Sequence, residues 1–330
     1  MSGDVLLVVV VVVALGFDFT NGFHDTANAV ATSISTRALS PRIAVAVASI
    51  ANLVGAFVTT AVAKTVGKGI IDTGLANTRT VLAALIGAIA WNLFTWWFGL
   101  PSSSSHALIG GLVGAAMAQS STKGVQWHGL AHKVVIPAFL APTIAFGCAF
   151  VLLIAIYWIF QRVSAGTANR GFRLGQLVSG TFVAYTHGAN DAQKTMGVIA
   201  LALFANGSID HFYIPIWVKI AAGVAIAGGT YVGGWRIMRT LGQRLYKMEP
   251  AAGFSAQVSA GAVIDIATRL GYPLSTTHVI SGAVLGAGST RGVSAVRWGI
   301  AGNIVVAWFL TIPAAALVAA AFYWPVQGIF

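Results

Sequence analysis

Gly22-Phe23-His24-Asp25-Thr26-Ala27-Asn28 follows a run of valines near the amino terminus, and Gly188-Ala189-Asn190-Asp191-Ala192-Gln193-Lys194 stands near the middle of the chain. Laying Gly22 on Gly188, an offset of 166 (188 minus 22), puts Asp25 on Asp191 and Asn28 on Lys194. Each copy sets a carboxylate and a second polar group in apolar surroundings. Residues three apart share a helix face, so Asp25 with Asn28, and Asp191 with Lys194, would point the same way. A second pair of motifs repeats in the same order. Pro101-Ser102-Ser103-Ser104-Ser105-His106 is matched by Pro273-Leu274-Ser275-Thr276-Thr277-His278, at an offset of 172 (273 minus 101). Two motifs recurring at nearly one offset mark an internal duplication.

The surroundings are those of a membrane. The 330 residues are 57% hydrophobic and 8% charged, with a mean hydropathy of +0.82. A soluble domain carries about 25% charged residues, so a soluble fold would lack polar surface. Several stretches reach the roughly 20 apolar residues that span a bilayer. The valine run does not alternate as a barrel strand would. The fold class is therefore an all-α polytopic membrane protein, and the 38 glycines suit close helix packing. The formal charge of +11 sits in short loops, where it sets orientation, so no nucleic-acid partner is expected. The single cysteine, Cys148, excludes an intrachain disulfide framework. Asp4 in place of a basic leader marks the first segment as a mature helix rather than a signal peptide.

In chain order, residues 4–38 read as one apolar stretch broken over Asp18 to Asp25, and 42–63 as a second crossing. Residues 80–99 and 106–118 read as a re-entrant hairpin with a Pro-Ser tip, since neither leg looks long enough to cross. Residues 134–160 cross again. Residues 1–160 form the first repeat, 161–173 a short cytoplasmic connection, and 174–330 the second repeat. Its parts are 174–204, 213–235, a hairpin from 252–271 to 279–288, and 298–323. Three crossings per half is odd, so the halves are expected to be inverted. One side's loops hold Arg37, Arg42, Arg162, Arg170, Arg173, Arg236, Arg239, Arg244, Lys247, Arg291 and Arg297; the other's hold Lys64, Lys68, Arg79, Lys123 and Lys133. The richer side is cytoplasmic by the positive-inside rule, which puts both termini outside. Inverted repeats meeting at mid-membrane are the architecture of a secondary transporter.

A charged side chain near the bilayer centre is costly, which makes Asp25 and Asp191 functional candidates. With Asn28 they suit a coupling cation. Lys194 either neutralises Asp191 or meets an anionic substrate. His24 and His187 adjoin the motifs and suit anion donation or proton relay. Ser103, Ser104 and Ser105 precede one helix start; Ser275, Thr276 and Thr277 precede another. Hydroxyls and free N–H groups at a helix N-terminus make an anion site. Capping alone needs one hydroxyl per helix, so these runs favour a tetrahedral oxyanion over a sugar or an amino acid. His106 and His278 are expected to brace the tips. Asp265 and Arg269, one turn apart, read as a structural ion pair. No nucleophile–base motif and no certain metal cluster stands out, so neither an enzyme nor a cofactor is expected.

These motifs resemble the PiT family of inorganic phosphate transporters, which carry a duplicated Gly-Ala-Asn-Asp type signature, and the resemblance spans nearly the whole chain. It implies cation-coupled phosphate uptake, with phosphate held between the tips and coupling ions near the Asp/Asn motifs. Asp25, Asn28, Asn190 and Asp191 carry over as signature residues, and the tip hydroxyls as phosphate contacts. Lys194 departs from the sodium-coupled members, which typically have Asn there. A lysine repels a nearby sodium ion. Gln193-Lys194 is instead similar to the bacterial proton-coupled branch, which takes metal–phosphate complexes as well. The expectation is a proton-driven phosphate symporter of the inner membrane, working by alternating access, with a divalent metal accompanying phosphate and a homodimer permitted by small-residue surfaces. A sulfate permease of the same fold, a sodium-coupled phosphate symporter and a passive anion channel are the alternatives.

Overall fold

The computed structural model describes residues 3–246 and 248–330; Lys247, counted among the basic loop residues, lies outside them. The described residues are almost wholly helical, and their only β feature is an isolated bridge between Ile71 and Val125.

Helix α1 (Gly3–Ser35) runs unbroken for 33 residues. The interruption expected over Asp18 to Asp25 is absent. Gly22 is a crossing point, not a stop. A Cβ on Gly22 would strike the Ile226 carbonyl of α9 (Ile216–Val232), and one on Gly229 would strike the Phe19 carbonyl. The second half does the same. Helix α8 (Ala165–Ala205) is continuous over 41 residues and starts inside the stretch expected as a connection. A Cβ on Gly188 would strike the Asn52 carbonyl of α2 (Pro41–Gly55), and one on Gly55 the Tyr185 carbonyl. Small residues let membrane helices approach to backbone contact. Each motif glycine therefore seats its helix on a helix from the other half.

The breaks fall in the second crossings. Helix α2 stops at Gly55 and the chain resumes as α3 (Ala61–Lys68). The Gln193 side-chain oxygen accepts from the Val62 and Ala63 amides at 2.9 and 3.3 Å, satisfying donors that a helix start leaves open. Helix α9 ends at Val232, and after Gly233 the chain turns through 58° into α10 (Trp235–Arg239).

The hairpins are α4 (Thr78–Phe98) with α5 (Ser104–Ser120), and α11 (Pro250–Arg269) with α12 (Thr276–Ser289). Helix α4 has 21 apolar-rich residues, or about 31 Å, so it is long enough to cross, contrary to the expectation for a hairpin leg. Helices α5 and α12 are shorter, at 17 and 14 residues. Each half closes with a long apolar helix, Trp127–Ile159 (α6, Trp127–Leu130, joined through a π turn to α7, Ile136–Ile159) and α13 (Trp298–Ile329). Among the described residues, four helices are long and apolar enough to cross a membrane, or five with the bent pair.

The apolar core forms two clusters. One takes Leu6 to Phe17 of α1, the buried faces of α4 and α5, and Ala192 to Leu203 of α8. The other takes Ala27 to Ala31 of α1, Val183 and Ala184 of α8, and the buried faces of α11 and α12. Helix α1 thus runs from the first cluster to the second, and α8 from the second to the first. The polar motifs lie where each helix passes between clusters.

Candidate substrate and coupling site

Everything singled out in the motifs converges on that polar layer. Each candidate, from His24 to His278, is at most 4% exposed.

The two tips are built alike. Ser103 Oγ accepts from the His106 amide at 3.0 Å and Ser275 Oγ from the His278 amide at 3.2 Å. One hydroxyl per tip is therefore spent as an N-cap. Ser104, Ser105, Thr276 and Thr277 remain to face the motifs.

Asp25 is held from several directions. Ser104 donates to its Oδ2 at 2.6 Å, His24 Nδ1 lies 2.6 Å from Oδ1, and Thr277 reaches Oδ1 at 3.5 Å. Both tips therefore touch this carboxylate. His24 Nε2 faces Thr95 Oγ1 at 3.0 Å and Ser102 Oγ at 3.4 Å. Asn28 Nδ2 donates to Thr277 at 2.9 Å and Thr276 at 3.3 Å, so the first motif also grips the second tip.

In the second copy, Lys194 Nζ donates to Asp191 Oδ1 at 2.5 Å, to the Leu274 carbonyl at 2.9 Å and to Ser105 Oγ. One ammonium thus joins both tips to the second motif. The charge pair survives in a dry interior because further hydrogen bonds surround it. His187 places Nε2 3.3 Å from Asp191 Oδ2 and Nδ1 2.9 Å from Asn52 Oδ1. Ligand atoms of Asp25, His187 and Asp191 all lie within 4.8 Å of one another, close enough to share one cation.

Three candidates, Asn190, His106 and His278, sit apart from this centre. Asn190 turns to the second hairpin, donating to Thr268 Oγ1 at 2.8 Å and the Tyr272 carbonyl at 3.1 Å. His106 and His278 meet edge to face at 4.7 Å, and His278 stacks on Trp308 at 4.0 Å. Their rings tie one tip to the other behind the hydroxyls. Asp265 and Arg269 pair at 2.8 Å, with Arg269 largely exposed. The sequence pattern did not single out Thr95, Ser102 and Asn21, which order His24 and Ser104; Asn21 Oδ1 faces the Ser104 hydroxyl at 2.6 Å as a second acceptor. Ser102 lay in a conspicuous serine run, whereas Thr95 carried no signal.

A bundle of membrane-length helices that buries two duplicated polar motifs against two hydroxyl-bearing tips has the build of a multi-pass membrane transporter. The sequence pattern of the phosphate transporter family matches residues 21–319, and the chain belongs to that family. Relatives named "probable low-affinity inorganic phosphate transporter" occur in several bacteria. That of Mycobacterium tuberculosis is 51% identical over 325 residues, covering 96% of this chain and 77% of the relative. That of Rhizobium meliloti is 49% identical, covering 96% of each. That of Bacillus subtilis is 44% identical, covering 99% of this chain and 98% of the relative. A solved structure titled as a sodium-dependent phosphate transporter superposes with a TM-score of 0.89 at 24% identity, covering 99% of this chain and all of that one. That likeness concerns the fold.

Proposed function

We propose that the protein takes up inorganic phosphate by proton symport, through alternating access around the buried polar layer. The observation that carries this reading is Lys194. Its ammonium stands between Asp191 and both tips, where it offers an anion a positive charge and denies a sodium ion a favourable site. The donors beside it, Ser104, Ser105, Thr276, Thr277 and the Asn28 amide, suit a tetrahedral oxyanion. Asp25, Asp191 and Asn28 take the coupling role, with His24 and His187 as relays. Asn190 braces the second hairpin next to them.

Phosphate is favoured over sulfate by Asp25. A carboxylate at the tips accepts a hydrogen bond from HPO4²⁻ and repels sulfate, which has no proton to give. Asp25 touches a hydroxyl of each tip. The names of the relatives accord with this, and a divalent metal would enter as a complex whose phosphate offsets the Lys194 charge. The opposite paths of α1 and α8 between the two apolar clusters support inverted repeats, 1–160 and 174–330. With the basic loops cytoplasmic, both termini lie outside an inner membrane.

The test is uptake of labelled phosphate into proteoliposomes with excess sulfate as competitor. Uptake that ignores sulfate supports the assignment, and equal competition overturns it. Asp25→Asn is expected to abolish uptake while the protein remains in the membrane; normal uptake by this variant would remove Asp25 from the mechanism.

A further inference from the structure

Among the described residues three aspartates are buried in the bundle, and two of them are held by well-formed hydrogen bonds. Asp25 is bonded to His24 and Ser104, and Asp191 to Lys194. Asp18 is wholly buried, and neither of its carboxylate oxygens makes a hydrogen bond of normal geometry. It lies one turn before Asn21 and two turns before Asp25 on α1, so it shares their face. Its nearest polar neighbours are Thr195 of α8 and Asn21, and the charged groups whose field reaches it are Asp191 and Lys194, both on α8. Those of α4 and α9 are not among them.

An ionised carboxylate in a membrane interior without a counter-charge is strongly disfavoured. Asp18 must therefore hold a cation, and its surroundings choose a proton. Thr195 Oγ1 and Asn21 Nδ2 are also unpartnered, while Asn21 Oδ1 is turned to the Ser104 hydroxyl, 2.6 Å away. What Asn21 has left to offer is an amide N–H, a donor. A hard metal cation needs a shell of oxygens, and a donor pointed at it is repelled. A protonated carboxyl uses both neighbours: its O–H has the Thr195 oxygen to donate to, and its carbonyl has the Asn21 amide to accept from.

We infer that Asp18 is a proton-binding site, occupied by the coupling proton in the arrangement described here. The inference rests on the proton-symport reading and adds a residue to it. Its link to substrate runs through Asn21 and Ser104. Ser104 Oγ lies 2.6 Å from Asn21 Oδ1 and 2.6 Å from Asp25 Oδ2, and its one proton serves a single acceptor at a time. Loss of the Asp18 proton turns Asn21 toward the new anion. Ser104 is then free to reorient at the tip.

The experiment compares wild type with Asp18→Asn in proteoliposomes holding labelled phosphate and an imposed pH gradient. One pH unit corresponds to about a tenfold equilibrium ratio per coupled proton. Wild type is expected to approach that ratio. Asp18→Asn is expected to fall to about one while still exchanging phosphate across the membrane. Asp18→Glu should restore coupling with a displaced pH midpoint. Infrared difference spectra supply a readout that does not depend on transport: wild type shows the carbonyl band of a buried protonated carboxylic acid, and Asp18→Asn lacks it. Gradient-driven accumulation by Asp18→Asn at the wild-type level overturns the assignment, as does absence of the band from wild type. A wild type that ignores the pH gradient sinks the symport reading itself, whereas a responsive wild type with an equally responsive Asp18→Asn sinks Asp18 alone.

Discussion

The two copies of the motif share a backbone placement and use it differently. In the first, Asp25 leans on His24, and a neutral amide, Asn28, reaches across to the second tip. In the second, Asp191 leans on Lys194, and the same ammonium reaches both tips. Duplication thus supplies two equivalent positions one turn from a carboxylate. A single residue type decides whether that position bridges by hydrogen bond alone or also brings a full charge. The site is alike in backbone placement and asymmetric in charge.

The largest way to break this comparison is to remove the charge. Lys194→Ala leaves Asp191 buried without its main partner, a change that costs about 3–5 kcal/mol. Phosphate uptake should vanish and the thermal midpoint of the purified protein should drop; wild-type uptake would show that the asymmetry has no role. A smaller effect tests the shared backbone placement. Gly22→Ala forces a Cβ into the α9 backbone, and such overpacking costs about 1–3 kcal/mol. Gly16→Ala on the same helix meets nothing within 4 Å and should leave thermal stability unchanged. If the two substitutions prove equal, the glycine crossing does not hold the halves together.

The duplicated motifs were legible in the sequence because they are local, periodic and polar in apolar surroundings. Their convergence was legible too, since two tips and two carboxylates repeating in one order imply one centre. What stayed hidden depends on partners distant in the chain. Gly22 reads as a helix break until α9 is seen lying across it. Asn190 belongs to the signature but packs against Thr268, a contact 78 residues away. Gln193 looked like half of a Gln-Lys pair and instead serves the start of α3. Asp18 appeared only as the edge of an interruption, because nothing in its spacing says that neither oxygen finds a donor. Thr95 is one hydroxyl in an aromatic helix, and hydroxyls in membrane helices commonly bond their own backbone, as this one also does.

On the proposed reading, Lys194 makes sodium dispensable. The most direct measurement imposes a proton gradient or a sodium gradient separately on proteoliposomes carrying wild type or Lys194→Asn, and follows labelled phosphate. Wild type should accumulate phosphate with protons alone, and Lys194→Asn should need sodium once the second copy carries the amide of the first. Wild-type accumulation that requires sodium would contradict that reading.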